Sequence, residues 1–324
     1  MSTITIDKID ECCIIYYDQN YLEKICFVII DYYYYVVEGV KSAINKIQKD
    51  GNRVNKNIII NFPYLNIEND YVKNTNDIIR IVINVEHTLI SKGANSYDNC
   101  YYTKIWNKKN NDYYKIIIDD INKLHKSDII INYSVVNQTN VKISKYYKDL
   151  YKKMVLIHPL LYPYYNVKTN RNIHCLTTFL HPYCTEKRKD FLKRIKEENI
   201  NHVNINNCTC AEDFIKLYKN TKILVNVHQI HEHHTVEELR ILPALMCGVV
   251  VICEEGPLRE YIPYQDSIIW TTNTNMMKTI RDVGEKYNEL HRKIFSENHL
   301  SNLLEIMNES NKEELYNKLM DVMK

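Results

Sequence analysis

Short apolar runs rich in Ile and Val alternate along this chain with longer segments whose apolar residues recur every three or four positions. The runs predict strands over 25–30, 57–62, 78–85, 115–118, 128–133 and 154–157, and the helical spacing predicts helices over 36–47 and near 137–150. The Pro-punctuated segment HPLLYPYYNVKTN (158–170) then breaks the pattern and reads as a linker. Beyond it the alternation restarts, with strands over 173–179, 202–205, 222–227 and 267–270 and helices over 186–198 and 211–219. Alternation of this kind implies an α/β fold, a parallel sheet with helices on both faces. The expected organisation is an N-terminal Rossmann-like domain over 1–158, a second over 171–290 and a charged, helix-prone tail over 291–324.

The most informative stretch is NVHQIHEHHTVEELRILPALMCGVVVICE (226–254). It reads as the end of a strand, a His-rich loop, a helix, a stop at Gly248 and a second apolar strand. Thr235 and Glu238 have the spacing of a capping box, which would set the helix start and give Glu238 a structural task. Pro243, inside the helix, removes a hydrogen bond to the Leu239 carbonyl and predicts a kink. A βαβ unit of this form gathers polar residues at the helix N-terminus, where backbone N–H groups and the dipole favour phosphate.

The order Asn226, His228, Glu237, Arg240, Gly248 and Glu254 resembles the donor-side block of a group of GT-B glycosyltransferases found in bacteria and giant DNA viruses. The resemblance extends upstream through Asp128, Tyr133, Ser134 and Asn137, a D-x-x-x-x-Y-S-x-x-N pattern, and Glu86 at the end of IVINVE. It covers roughly residues 78–270 and implies two Rossmann-like domains facing across a cleft. One feature departs from it. The E-x7-E pair of many retaining GT-B enzymes would fall on Thr235 and Pro243, so the roles of those carboxylates are not carried over.

Composition narrows the partners. With 42 basic and 40 acidic residues and no basic stripe interleaved with aromatics, nucleic acid is not the expected partner. Ten Cys without a framework, and an N-terminus lacking a basic region before an apolar core, suggest reduced thiols in a cytoplasmic setting, the host cytoplasm for a viral protein. Apolar runs such as ICFVII are too short to cross a bilayer, so no transmembrane segment is expected. Only 6 Gly stand beside 27 Tyr and abundant Asn, Ile and Lys, which points to AT-rich coding and leads the Tyr32–Tyr35 run to be read as drift.

Glu237 and Arg240 lie three apart on one helix face, where a guanidinium can hold a diphosphate bidentately; the alternative is a local surface ion pair. The resemblance makes Arg240, Glu237 and His228 the catalytic candidates. It assigns the nucleotide-sugar donor, a UDP- or GDP-sugar, to Arg188, Lys187, Asn226, Thr235 and Glu254. Lys187 and Arg188 are adjacent, and both pointing inward is not expected. Glu254 follows a strand and is placed to accept from ribose hydroxyls, whereas Glu255 reads as an exposed acidic turn. Glu86, His87, Tyr133, Ser134 and Asn137 fall on the side of a glycan or glycoprotein acceptor, although Asn137 also suits a helix N-cap.

His228, His231, His233 and His234 with Glu232 raise the rival of a zinc site. They lack H-E-x-x-H spacing, and Cys208 to Cys210 lack C-x-x-C spacing, so neither a metal nor another cofactor is expected. The expected activity is sugar transfer to a hydroxyl acceptor. The alternatives are a GT-B-like binding or assembly protein without catalysis, and a metal-dependent hydrolase built on the His-rich loop.

Overall fold

The computed structural model describes residues 4–9, 13–18, 27–62, 77–86, 88–92, 114–118, 121–144, 147–165, 170–179, 184–205, 211–229, 236–295 and 299–323. The protein is mixed α/β, with two largely parallel sheets in two compact units. The first unit comprises Met1–His158 with Met307–Lys324, and the second Pro159–Ile306. Among the described residues no helix is long and apolar enough to cross a membrane.

In the first unit, β1 (Ile4–Lys8) and β2 (Ile14–Asp18) form an antiparallel hairpin that the sequence reading did not anticipate. Strands β3 (Asn57–Asn61), β4 (Ile78–Asn84), β7 (Ile129–Asn132) and β8 (Met154–Leu156) extend it in parallel, in the order β1-β2-β3-β4-β7-β8. A separate antiparallel pair joins β5 (Leu89–Lys92) to β6 (Tyr114–Ile117). Among the described residues the strand order runs along the chain without reversing.

Two elements differ from the sequence expectation. The run expected as a strand over 25–30 is helical from Phe27, where α1 (Phe27–Lys49) begins. It is the fully apolar end of a long helix, and a short apolar run cannot by itself distinguish strand from buried helix. The helix expected near 137–150 is two, α3 (Val135–Ile143) and α4 (Lys148–Lys153), following the short α2 (Ile121–Lys126). Nor is the tyrosine run mere drift. Tyr32 and Tyr33 are fully buried, donating hydroxyl hydrogen bonds to the Ile157 carbonyl (2.7 Å) and the Ile60 carbonyl (2.8 Å).

The second unit is a five-stranded, all-parallel sheet in the order β10-β9-β11-β12-β13. Its strands are β9 (Ile173–Thr177), β10 (His202–Asn204), β11 (Thr221–Asn226), β12 (Val250–Glu254) and β13 (Ile268–Thr271). Helices α5 (Glu186–Glu197), α6 (Ala211–Lys219) and α7 (Glu238–Met246) connect them, and α8 (Met276–Glu285) and α9 (Tyr287–Phe295) follow. Numbered within the unit the order is 2-1-3-4-5, with its reversal between β9 and β11. Strands β11 and β12 are buried almost end to end, as a parallel sheet covered on both faces requires. The last helix, α10 (His299–Met323), contributes its residues from Met307 onward to the first unit. There Asn311 accepts from the His158 N–H (2.8 Å) and donates to the His158 carbonyl (2.9 Å), supplying beside β8 the pairing another strand would give.

Candidate functional site

In a doubly wound sheet the ligand crevice opens at the carboxyl ends of the strands, where strand order reverses. In the second unit that place lies beyond Thr177 of β9 and Asn226 of β11, with Glu254 at the end of β12 alongside. Its floor is a register pair: Asn226 faces Cys253 across β11 and β12, and its side-chain amide donates to the Cys253 Sγ at 3.4 Å. Asn226 is thus buried in the floor, while burial pushes the Cys253 thiol up to about 12, leaving it a neutral packing group.

The charged side chains form a triad and a pair on this floor. Arg188, from the first turn of α5, donates through Nε (3.1 Å) and Nη2 (2.9 Å) to the Val227 carbonyl, just past β11. The same guanidinium pairs with Glu237 and lies over the Phe179 ring, 4.6 Å from its centroid. Glu237 holds Arg188 with one carboxylate oxygen and Arg240 with the other. Burial lowers the Arg188 pKa and the charge of Glu237 opposes that, so the carboxylate is what keeps a cation tolerable at a site only 3% exposed. Beside this triad, Lys187 pairs with Glu254 at 2.8 Å, and the second oxygen of Glu254 accepts from the His228 N–H at 3.0 Å.

Both Lys187 and Arg188 therefore turn inward, contrary to the sequence expectation. Successive helical residues diverge by about 100°, and the two long stems use that divergence to reach different strand ends, Glu254 after β12 and Val227 after β11. The loop before α5 is tied to the same region, because the Thr185 hydroxyl donates to the Gln229 carbonyl. Phe179 is positioned by Asn204, whose side chain accepts from the Phe179 N–H (3.0 Å) and donates to its carbonyl (3.3 Å). The sequence reading passed over both residues; a polar residue ending the short edge strand β10 was the available signal.

The helix start also differs from the capping-box expectation. α7 begins at Glu238 with Glu237 at the cap position, and the Glu238 carboxylate accepts from the Tyr264 hydroxyl at 2.8 Å. That carboxylate is fully buried. Thr235, with His231, Glu232, His233 and His234, lies outside the described residues, as do His87 and Cys208 to Cys210. Pro243 stands inside α7 without ending it, and the helix closes in a Schellman arrangement: Gly248 N–H to Leu245 O (2.9 Å) and Val249 N–H to Ala244 O (3.0 Å).

No family model and no curated protein matches this chain.

Ser134, Asn137 and Tyr133, expected on the acceptor side, carry structural tasks in the first unit. Ser134 caps α3 by accepting from the Asn137 N–H at 3.3 Å. Asn137 donates to the Glu86 carbonyl (3.1 Å) and accepts from the Thr88 N–H (2.8 Å), stitching the turn after β4 to α3. Tyr133 is buried edge-to-face against Tyr32, with centroids 6.2 Å apart. Asp128 accepts from the Arg80 N–H at 2.8 Å, extending the pairing of β4 with β7. The Glu86 side chain is exposed, and Glu255 is an exposed partner of Arg259, as its position in a turn suggested.

Among the described residues no three His, Cys, Asp or Glu side chains group as a metal site. A cavity of about 520 Å³ in the first unit lies between α1 and α10, lined by Tyr35, Gly39, Ser42, Asn311 and Leu315 among others.

Proposed function

We propose that the protein is a glycosyltransferase whose second unit binds the diphosphate of a nucleotide-sugar donor, a UDP- or GDP-sugar, and whose first unit serves a hydroxyl acceptor on a glycan or glycoprotein. The GT-B arrangement is part of this proposal. One observation carries it: Lys187, Arg188 and Arg240 meet Glu237 and Glu254 at the carboxyl ends of β9, β11 and β12, beside the strand-order reversal. Three cations against two carboxylates leave one net positive charge in a half-dry setting, at the place where such sheets take anionic ligands.

The roles divide by exposure. Arg240, with 19% of its side chain exposed, is the cation that a diphosphate reaches, and its fork suits bidentate contact. Arg188 and Lys187 are held more deeply and position Glu237 and Glu254. In transfer the acceptor oxygen bonds to the anomeric carbon as the bond to the diphosphate oxygen breaks, the hydroxyl proton passes to the departing diphosphate, and Arg240 stabilises the negative charge that develops there. His228, whose backbone is fixed by Glu254, lies at the rim of the same strand ends.

A second reading is a binding protein without turnover, and one observation favours it: both Glu237 oxygens and one Glu254 oxygen are engaged in ion pairs, and the other Glu254 oxygen accepts from the His228 N–H, so neither stands as a ready general base. A thermal-unfolding screen with UDP-, GDP- and other nucleotide sugars, followed by a transfer assay on any stabilising donor, separates the readings. Protection with transfer supports the enzyme, and protection without transfer the binder. Absence of protection by every nucleotide sugar contradicts both.

A further inference from the structure

Arg240 stands in the first turn of α7, its N–H bonded to the Glu237 carbonyl at 2.9 Å. A cation there opposes the helix dipole, which favours negative charge at that end. The structure supplies the missing anion from the chain itself, since Glu237 is at the cap position with a carboxylate oxygen on the Arg240 guanidinium. The triad is graded in exposure: side chains of Arg188, Glu237 and Arg240 are 3%, 7% and 19% exposed. Arg188 is the fixed end, held by the Val227 carbonyl and Phe179, and Arg240 is the end that solvent reaches.

We propose that Glu237 is an internal occupant of the ligand's anion position, from which an incoming diphosphate displaces it at Arg240 while its other oxygen stays on Arg188. This rests on the reading of the site as one for a nucleoside diphosphate. A diphosphate carries more negative charge than one carboxylate and offers paired oxygens to the fork, so it outcompetes Glu237 at the exposed guanidinium. Glu237 keeps its buried contact because Arg188 has no other carboxylate partner in the described network and leaving it bare is strongly unfavourable. Glu237 thereby sets a threshold: the exposed arginine is satisfied without ligand, and weakly anionic solutes gain little by replacing an existing ion pair.

The test is titration calorimetry of the full chain with UDP and GDP, comparing wild type with Glu237→Gln, Glu237→Asp and Arg240→Gln. Removing the internal competitor leaves Arg188 an amide oxygen to bond, so Glu237→Gln is expected to bind five- to tenfold more tightly. Glu237→Asp, too short to span both arginines, shifts in the same direction, and Arg240→Gln binds more weakly. Tighter binding in either Glu237 variant supports the proposal. Unchanged or weaker binding in folded Glu237 variants, with wild type binding normally, overturns it and leaves the diphosphate site standing. Failure of every protein to bind removes the site and this proposal together. Should both Glu237 variants fail to fold, wild type decides by NMR: on saturation the Arg240 Nε–Hε resonance moves and that of Arg188 stays. Movement of both, or of neither, contradicts displacement.

Discussion

A Cβ on Gly248 would lie 2.7 Å from Nη2 of Arg171. That guanidinium donates to the Cys247 carbonyl (2.8 Å) and, through Nη1, to the carbonyls of Tyr218 (2.9 Å) and Thr221 (2.7 Å). One buried cation thus closes the carboxyl ends of α6 and α7, where the dipole favours positive charge. The backbone of Gly248 is left-handed, with φ of 70°, so glycine is required there both for conformation and for space.

Gly248→Ala is accordingly expected to destabilise the second unit by at least about 2 kcal/mol, combining left-handed strain of about 1–2 kcal/mol with displacement of Arg171. Urea unfolding followed by circular dichroism measures this. A variant as stable as wild type would show that the Arg171 cluster yields freely.

His158 gives a pH signature. Burial lowers its pKa from the ordinary 6.5 to about 4, and among the described residues its Nδ1 has no hydrogen-bond partner. As pH falls the unfolded chain takes up the proton first, so stability is full above about pH 6.5 and declines through about pH 4. The decline amounts to about 3.5 kcal/mol at about 1.4 kcal/mol per pH unit. His158→Leu should flatten the fall in unfolding free energy between pH 7 and pH 4.5; an unchanged slope would assign it to other groups, among them His202, which burial also lowers to about 4.

Asn137→Ala should lower the stability of the first unit by about 2 kcal/mol, through two lost hydrogen bonds, one buried and one part-buried, and the unpaired Thr88 N–H and Glu86 carbonyl they leave. Thermal unfolding without ligand reads this directly. An Asn137→Ala protein with wild-type stability but impaired acceptor use would reverse the structural assignment made for this residue.

The sequence was most readable where burial is uniform. The Ile/Val-rich runs of β3, β4, β7, β11 and β12 mark strands because a parallel sheet covered on both faces demands apolar residues at most positions. The same criterion misread the start of α1, since Val28, Ile30, Tyr32, Tyr33, Val36 and Val37 bury more than one helix face and erase the stripe that signals a helix. At the candidate site the sequence offered Glu237, Arg240, Lys187, Arg188 and Glu254 as candidates, largely through the resemblance, and the local Glu237–Arg240 pair through its spacing, but the long-range partners were invisible. That Glu254 takes Lys187 and Glu237 takes Arg188 depends on strand order, which brings residues 67 and 49 positions apart into contact. Arg171 was passed over because a lone arginine in a polar, Asn-rich segment gives no local sign that three helix-end and strand carbonyls await it.

The most direct measurement is the affinity of the full chain for UDP and GDP in wild type and in Arg240→Ala, by titration calorimetry at fixed ionic strength. If Arg240 holds the diphosphate, wild type binds at least one of the two and Arg240→Ala loses about 1.5 to 3 kcal/mol, roughly 10- to 150-fold. Equal affinity in a folded Arg240→Ala protein, or no binding of either nucleotide by wild type, would contradict the assignment of this site.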